Sequence, residues 1–266
     1  MTDRQTIIAA LSETREDAVL LARVWDRIST GERRNIPTAT CFLSGREQLL
    51  ARQLCRQAGL AEPVFFGGTP SAERRVAAYV PDYYDPEAFL YGEESPVAAL
   101  RATWSEYDEL SHRDFLGSLM GQGVKREIIG DLLPRAGSCD ILVLREMAGY
   151  LSDQLSHVGR ARVETVEIAL SEVVVSEQKV KVISDTVASM RLDSIMASGF
   201  QQGRSKAAAL IHAGNVQVNH AAVTKPDAAV AEGDIISARG LGKLRVAQVK
   251  GQTKKGRISV ELERYL

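Results

Sequence analysis

Between residues 191 and 219 the chain reads Arg191-Leu192-Asp193, then Gly203-Arg204-Ser205-Lys206, Leu210-Ile211, Gly214 and Val216-Gln217-Val218-Asn219. Few local folds accept that order. Residues 191–198 and 205–213 are predicted to form two short helices, and 216–219 a strand. Gly203 or Ser205 can cap the second helix, while Arg204 and Lys206 project from its first turn. Unpaired backbone N–H groups there already favour an anion. Ala207, Ala208, Leu210 and Ile211 supply a small packing face. Gly214 lets the chain leave the helix with positive φ and return as a strand. Cations and amides gathered at a helix start and on the next strand suit a polynucleotide backbone, so the groove between helix and strand is the expected binding surface.

Charge supports the same end of the molecule. The chain of 266 residues has a formal charge of −1, but residues 179–266 hold 14 Lys and Arg against 7 Asp and Glu, which leaves −8 on residues 1–178. The basic end is the predicted nucleic-acid side. Cys41, Cys55 and Cys139 are widely spaced and lack a Cys-x-x-Cys or a neighbouring His pair, so free thiols are expected and neither disulfides nor a metal site. Acids at Asp3, Glu13, Glu16 and Asp17, and no apolar run near the ~20 residues that span a bilayer, point to the cytosol and away from a membrane.

Apolar spacing of three and four through Ile7, Ile8, Leu11, Val19, Leu20, Val24, Trp25 and Ile28 makes the first 60 residues helical, with a further helix over 46–58. Strands are predicted at 64–66, 75–80, 97–104, 141–144 and 162–170, and helical pieces at 113–122, 125–130 and 145–158. Polar 176–184 marks a boundary, after which β segments are expected at 234–238, 244–249 and 258–262. The fold class expected is α+β: an N-terminal helical segment (1–60), a middle α+β RNA-binding domain (61–178) and a small C-terminal module (179–266) of two helices with a short twisted sheet.

The elements "RLD", "RSKAAALIHAG", "VQVN", "TKP" and "EGDII" together resemble the alpha-L RNA-binding module first seen in the fourth small-subunit ribosomal protein. One residue departs: His220 stands where that family usually has Gly, so an altered turn is expected. The segments "FFGGTPSAERRVAAYVPDYYDP", "HRDFLGSLMGQGVKREIIGDLL" and "SARGLGKLRV" are similar to the bacterial YlmH family. The resemblance covers roughly residues 60–246. It implies a non-enzymatic protein without cofactor that engages structured RNA on the ribosome, large-subunit ribosomal RNA and bound tRNA, in rescue or quality control of stalled translation. By matching position, Arg204, Ser205 and Lys206 would hold phosphates, with Gln217, Asn219 and Lys225 on the strand side. Arg191, Lys243 and Arg245 would extend the face, as would Lys250, Lys254, Lys255 and Arg257. Asp193 is as well suited to capping or to an arginine as to RNA.

In the middle domain, Arg74, Arg75, Tyr83, Tyr84, His112, Arg113, Lys125 and Arg126 combine cations with rings, as RNA-contacting surfaces do. A packed turn held by Pro81 and Pro86 explains the tyrosines equally well. His112-Arg113-Asp114 has no kinase loop or lysine beside it, and a helix start with Asp114 in the first turn fits it better. Two enzyme readings compete: a pseudouridine synthase using Asp193, and a methyltransferase using residues 60–170. Against the first, only 73 residues follow Asp193; against the second, Gly67-Gly68 and Gly121-Gln122-Gly123 are thin cofactor turns. A small-molecule substrate is not expected. A protein-binding adaptor, linked to cell division and docking through residues 1–60, is the remaining class.

Overall fold

The computed structural model describes residues 4–105, 107–175, 179–253 and 256–265. The chain forms two compact units, Met1–Ser176 and Glu177–Leu266.

In the first unit, helices α1 (Arg4–Leu11), α2 (Arg15–Arg34) and α3 (Gly45–Ala58) flank strand β1 (Thr38–Ala39). Local chemistry sets their limits: Thr14 with Asp17, and Ser44 with Glu47, form reciprocal capping boxes, and Asn35 and Gly59 end α2 and α3 in the left-handed conformation. Strands β2 (Val64–Phe66) and β3 (Val76–Tyr79) join β1 in an antiparallel sheet ordered β1-β3-β2. Helix α4 (Pro86–Tyr91), strand β4 (Val97–Thr103), helix α5 (His112–Gly121), strands β5 (Ile129–Arg135) and β6 (Ser138–Leu144), helix α6 (Arg145–Gln154), the small pair β7 (His157–Val158) and β8 (Ala161–Arg162), and strand β9 (Glu164–Ile168) complete it. The second sheet is antiparallel in the order β5-β6-β4-β9.

Period-two alternation explains how these layers stack. Along β4, Ala98, Leu100 and Ala102 join a core with Phe115 and Leu119 of α5 and Ala148 and Leu151 of α6. Val97 and Ala99 enter another core with Val76 and Ala78 of β3. Ala77 of β3 then faces a third core with Leu21, Val24 and Ile28 of α2 and Leu54 of α3. The central strands β4 and β6 are thus buried on both faces, which is why they read as near-continuous apolar runs broken only by charged Arg101 and Asp140. Phe65 and Tyr79 pack on that third core, so the first 60 residues belong to the same compact unit as the strands after them.

Asp140 on β6 is fully buried and ties this unit together. Arg101 of β4 donates to its carboxylate at 2.7 and 2.9 Å, Arg135 of β5 at 2.9 and 3.1 Å, and the Val174 N–H at 2.9 Å. Burial pushes the carboxyl up, but the two guanidinium groups and the N–H outweigh it and hold it at about 2.

The second unit adds strand β10 (Val180–Val187), helices α7 (Leu192–Gly199) and α8 (Arg204–His212), and strands β11 (Val216–Val218), β12 (Ala221–Ala222), β13 (Ile235–Ala238), β14 (Gly242–Gln252) and β15 (Ile258–Tyr265). Its sheet is ordered β10-β15-β14-β13-β11-β12, antiparallel throughout. Leu192, Ile195, Met196 and Phe200 of the α7 segment and Ala207 and Ile211 of α8 pack on one face of it, against Val216, Ile236, Leu244, Val246, Val260 and Leu262. Contact is so close at Gly199 that a Cβ there would lie 2.3 Å from the Leu244 side chain.

Two expectations need correction. Residues 125–130 are not a helical piece: Arg126–Ile128 is a single 3-10 turn that leads into edge strand β5, where an edge position tolerates Pro134. Polar 180–184, read as part of the boundary stretch, belongs to β10, an edge strand held by its register with β15 more than by burial. The turn expected between Pro81 and Pro86 is present, with the Tyr84 N–H on the Pro81 carbonyl at 3.0 Å, and Asp85 then caps α4, whose first turn holds Pro86. Among the described residues, no helix is long and apolar enough to cross a membrane.

Asp140→Asn is expected to lower stability by about 3 kcal/mol, because it strands two arginines around a buried neutral side chain. Asp140 has a folded-state value depressed from 3.8 to about 2. Its contribution is therefore complete above pH ~4 and is lost as the pH falls towards ~2. Chemical denaturation of wild type and variant across that window should show the gap between them closing in acid; a constant gap would refute the assignment.

Candidate nucleic-acid interface

The tip of α8 is built around Asp193. This residue sits in the first turn of α7 with only 8% of its side chain exposed, and its carboxylate takes Arg191 at 3.1 and 3.2 Å and Arg204 at 2.8 Å. Burial pushes the Asp193 carboxyl up, but these two arginines hold it below its ordinary range. The start of α8 is thereby anchored to the start of α7. Gly203 is the N-cap and no side chain caps it; the Lys206 N–H closes on the Gly203 carbonyl at 3.0 Å, and the side chains of Arg204, Ser205 and Lys206 are all exposed. Lys206 makes no ion pair among the described residues. Residues 225–230 run alongside: the Asp193 N–H donates to the Pro226 carbonyl and the Leu192 N–H to that of Ala228. That places exposed Lys225 on the strand of chain next to Asp193. Arg191, Arg204, Ser205, Lys206 and Lys225 thus share one end of the module.

The expected groove between α8 and β11 is not open. Ala207 and Ile211 meet Val216 and Ile236 there in the hydrophobic core. Gln217, Lys243 and Arg245 stand on the other, solvent face of the sheet, in the cross-strand series Gln217↔Ser237↔Lys243 and Ile235↔Arg245↔Glu263. Strand alternation decides this, since their neighbours Val216, Leu244 and Val246 are the buried ones. On that face Arg245 pairs with Glu263 at 3.5 Å, Lys250 with Glu261, and Lys243 lies 5.7 Å from the Tyr265 ring centre. Arg257 is turned onto Thr186, bonding its hydroxyl at 3.0 Å. Lys254 and Lys255 lie outside the described residues.

The turn at His220 is kept, against expectation. Asn219 and His220 have φ of 49° and 68°, which gives the two-residue connection between β11 and β12 the positive φ pair of a type I′ hairpin. The Asn219 amide is committed to that turn: it donates to Asp234 at 2.7 Å and accepts from the Ile235 N–H at 2.9 Å. In this arrangement the side chain holds the hairpin.

The middle-domain candidates separate into structural and exposed groups. Arg74 donates to the carbonyls of Ile129 (3.0 Å), Phe42 (3.1 Å) and Arg126 (3.3 Å), and Arg126 to those of Ile129 (2.6 Å) and Gly130 (3.2 Å). Arg75 bonds the Ala72 and Pro70 carbonyls of its own loop. Tyr84 donates to Glu94 at 2.7 Å and packs on Phe89, while Tyr83 donates to the Asn35 carbonyl at 2.8 Å. Each side chain therefore has a packing role, although the Tyr83 ring remains 61% exposed. His112, Arg113 and Lys125 are exposed. Asp114 accepts from the Ser111 N–H and hydroxyl, closing the start of α5. Sequence reading missed the Asp193 clamp as a single unit, although the Arg-x-Asp spacing signals it.

Residues 102–172 match the model of the YlmH RNA-binding domain, and residues 190–236 match the S4 domain. The chain is 36% identical over 228 residues to the ribosome-associated protein quality control protein P2 of Bacillus subtilis strain 168, a match covering 85% of this chain and 86% of the relative. It also aligns with the solved cell division protein ylmH from Streptococcus pneumoniae, at 25% identity and a TM-score of 0.49, over 60% of this chain and 96% of that one.

His220→Gly should stabilise the second unit by about 0.5–1 kcal/mol, since a left-handed non-glycine residue costs ~1–2 kcal/mol and glycine returns part of that as unfolded-state entropy. A melting temperature equal to or below that of the wild type would contradict the turn assignment.

Proposed function

Because the chain belongs to the YlmH family of RNA-binding proteins, we propose that it binds structured RNA of the large ribosomal subunit, together with bound tRNA, during quality control of stalled translation. The observation that carries this reading is the α8 tip: an uncapped helix start with Arg204, Ser205 and Lys206 exposed, held in place by Asp193. Anions are favoured at such a terminus by the helix dipole and by free N–H groups together. The name of the Bacillus relative, a ribosome-associated quality control protein, supports the setting.

Phosphate and 2′-hydroxyl contacts suit this surface better than base reading, so RNA shape rather than sequence selects the target. Lys206 and Lys225 are the side chains best placed for phosphates. Arg204 has a double part, because its guanidinium also neutralises Asp193. The protein acts without bond-making of its own in this reading. Asp193, the one carboxylate that the pseudouridine synthase reading needs, is buried and gripped by two arginines, which fits a structural role. Its place of work would be the cytoplasm.

Lys206→Glu is the clean test, since Arg204→Glu would also set two carboxylates against each other at Asp193. The slope of log affinity against log salt for a structured RNA should become shallower by roughly 0.7–0.9 for the lost phosphate contact, and co-sedimentation with large subunits should fail at lower salt. Unchanged slope and co-sedimentation, with the same melting temperature, would overturn the placement of the RNA at this tip. Chemical footprinting on large subunits carrying a stalled tRNA would then show whether ribosomal RNA, tRNA or both are protected.

A further inference from the structure

The first unit contains an open cleft of about 950 Å³ between α2 and residues 40–44, outside both matched family domains for most of its lining. Its α2 wall presents Arg15, Val19, Arg23 and Arg27, each four residues from the next. At 1.5 Å per residue that stripe runs for about 18 Å. Val19 is exposed in the middle of it, and Arg15 and Arg27 are exposed and make no ion pair among the described residues.

The opposite wall includes Arg74 and Arg126. Their guanidinium groups converge on one acceptor, the Ile129 carbonyl, at 3.0 and 2.6 Å, and their other side-chain bonds also go to carbonyl oxygens. Two cations thus lie side by side, half-buried, with no carboxylate in ion-pair contact among the described residues. Burial, then the charge of Arg74, lowers Arg126 to about 10, and burial lowers Arg74 as well. Three carboxylates line the cleft against five arginines. Glu127 is bonded by Arg23 at 3.1 and 3.2 Å, and Glu47 accepts from the Ser44 N–H at 2.6 Å. Glu16, exposed at the start of α2, and Glu47, whose charge still acts on Arg74, stand against Arg15, Arg27, Arg74 and Arg126.

A recess lined by five arginines against three carboxylates, with Arg15 and Arg27 exposed and outside any ion pair among the described residues, has the chemistry of a polyanion site. We propose that this cleft binds phosphate groups, presented by an RNA strand lying along the Arg15-Arg23-Arg27 stripe, as a contact separate from the α8 tip. The inference rests on the RNA-binding reading only for the source of the phosphates. A mononucleotide carries the same groups and is the other source.

The test uses the full chain with Arg15→Ala and Arg27→Ala combined, both exposed, and Arg15→Lys with Arg27→Lys as the conservative counterpart. A structured RNA hairpin is titrated across salt, and a nucleoside triphosphate is assayed by thermal shift. An RNA source makes the salt slope of the alanine pair shallower by roughly 0.7–0.9 per lost contact, while the lysine pair stays near wild type. A mononucleotide source leaves that slope unchanged, but the triphosphate raises the melting temperature of the wild type and not of the alanine pair. The proposal falls if the alanine pair matches wild type in both assays. Should Lys206→Glu still weaken RNA binding in that event, the α8 reading survives alone. Should the wild type bind no RNA at all, that reading fails, and the triphosphate assay still decides the cleft.

Discussion

The carboxylate of Asp193 is the point on which the C-terminal module depends. It receives Arg191 from before α7 and Arg204 from the first turn of α8, so one buried anion fixes where two helices begin. Without it, Arg191, Arg204 and Lys206 would crowd at one end of the module with no internal charge to oppose them. With it, the helix start can stay without a side-chain cap. A buried ion pair is weak evidence for stability in itself, and its use here is to specify geometry. The short connection between α7 and α8 then needs no other anchor than the apolar contacts of Phe200, Ala207 and Ile211.

Asp140 does comparable work in the first unit, where the constraint is a sheet rather than a helix pair. Arg101 and Arg135 reach it from the strands on either side of β6, and Val174 closes the ring from the segment after β9. The two-sided burial of β4 and β6 leaves no room for an unpaired charge, so this acid is tolerated only because three donors meet it. Its neighbours along β6 alternate between the two cores, Ile141 and Val143 to one and Leu142 and Leu144 to the other.

Much of this was legible in the residues. Helices α2 and α3 follow from apolar spacing, and α7, α8 and β11 from the Arg191 to Asn219 run, because a helix or strand with one apolar stripe announces its period. The α+β class was readable for the same reason, and the likeness to the YlmH and S4 families from the motif residues themselves. Strand β5 was not, since Ile129 to Arg135 holds Gly130 and Pro134 and is a strand only because β6 supplies a partner. Strand β10 was hidden likewise, as its polar face is that of an exposed edge. The helix–strand groove was misplaced because periodicity gives the face of each element but not what fills the space between them. Ala207 and Ile211 were correctly read as a packing face, and that same packing closes the groove against Val216.

Charge counting misleads in both units, and for one reason. Residues 179–266 are basic by count, yet Arg204, Arg245, Lys250 and Arg257 are each turned towards a partner within the module, so fewer cations face outward than the composition suggests. Residues 1–178 are acidic by count, yet they hold a stripe of arginines on α2 beside two guanidinium groups that bond only carbonyls. What a polyanion meets is the set of charges left unpaired at one place, and the sum over a domain does not report it. Arg74 and Arg75 show how local the distinction is: adjacent in sequence, one reaches into the cleft wall across β5 while the other folds back onto its own loop. Whether an arginine serves the fold or faces a ligand is settled by which acceptors surround its guanidinium, and only the tertiary structure supplies those.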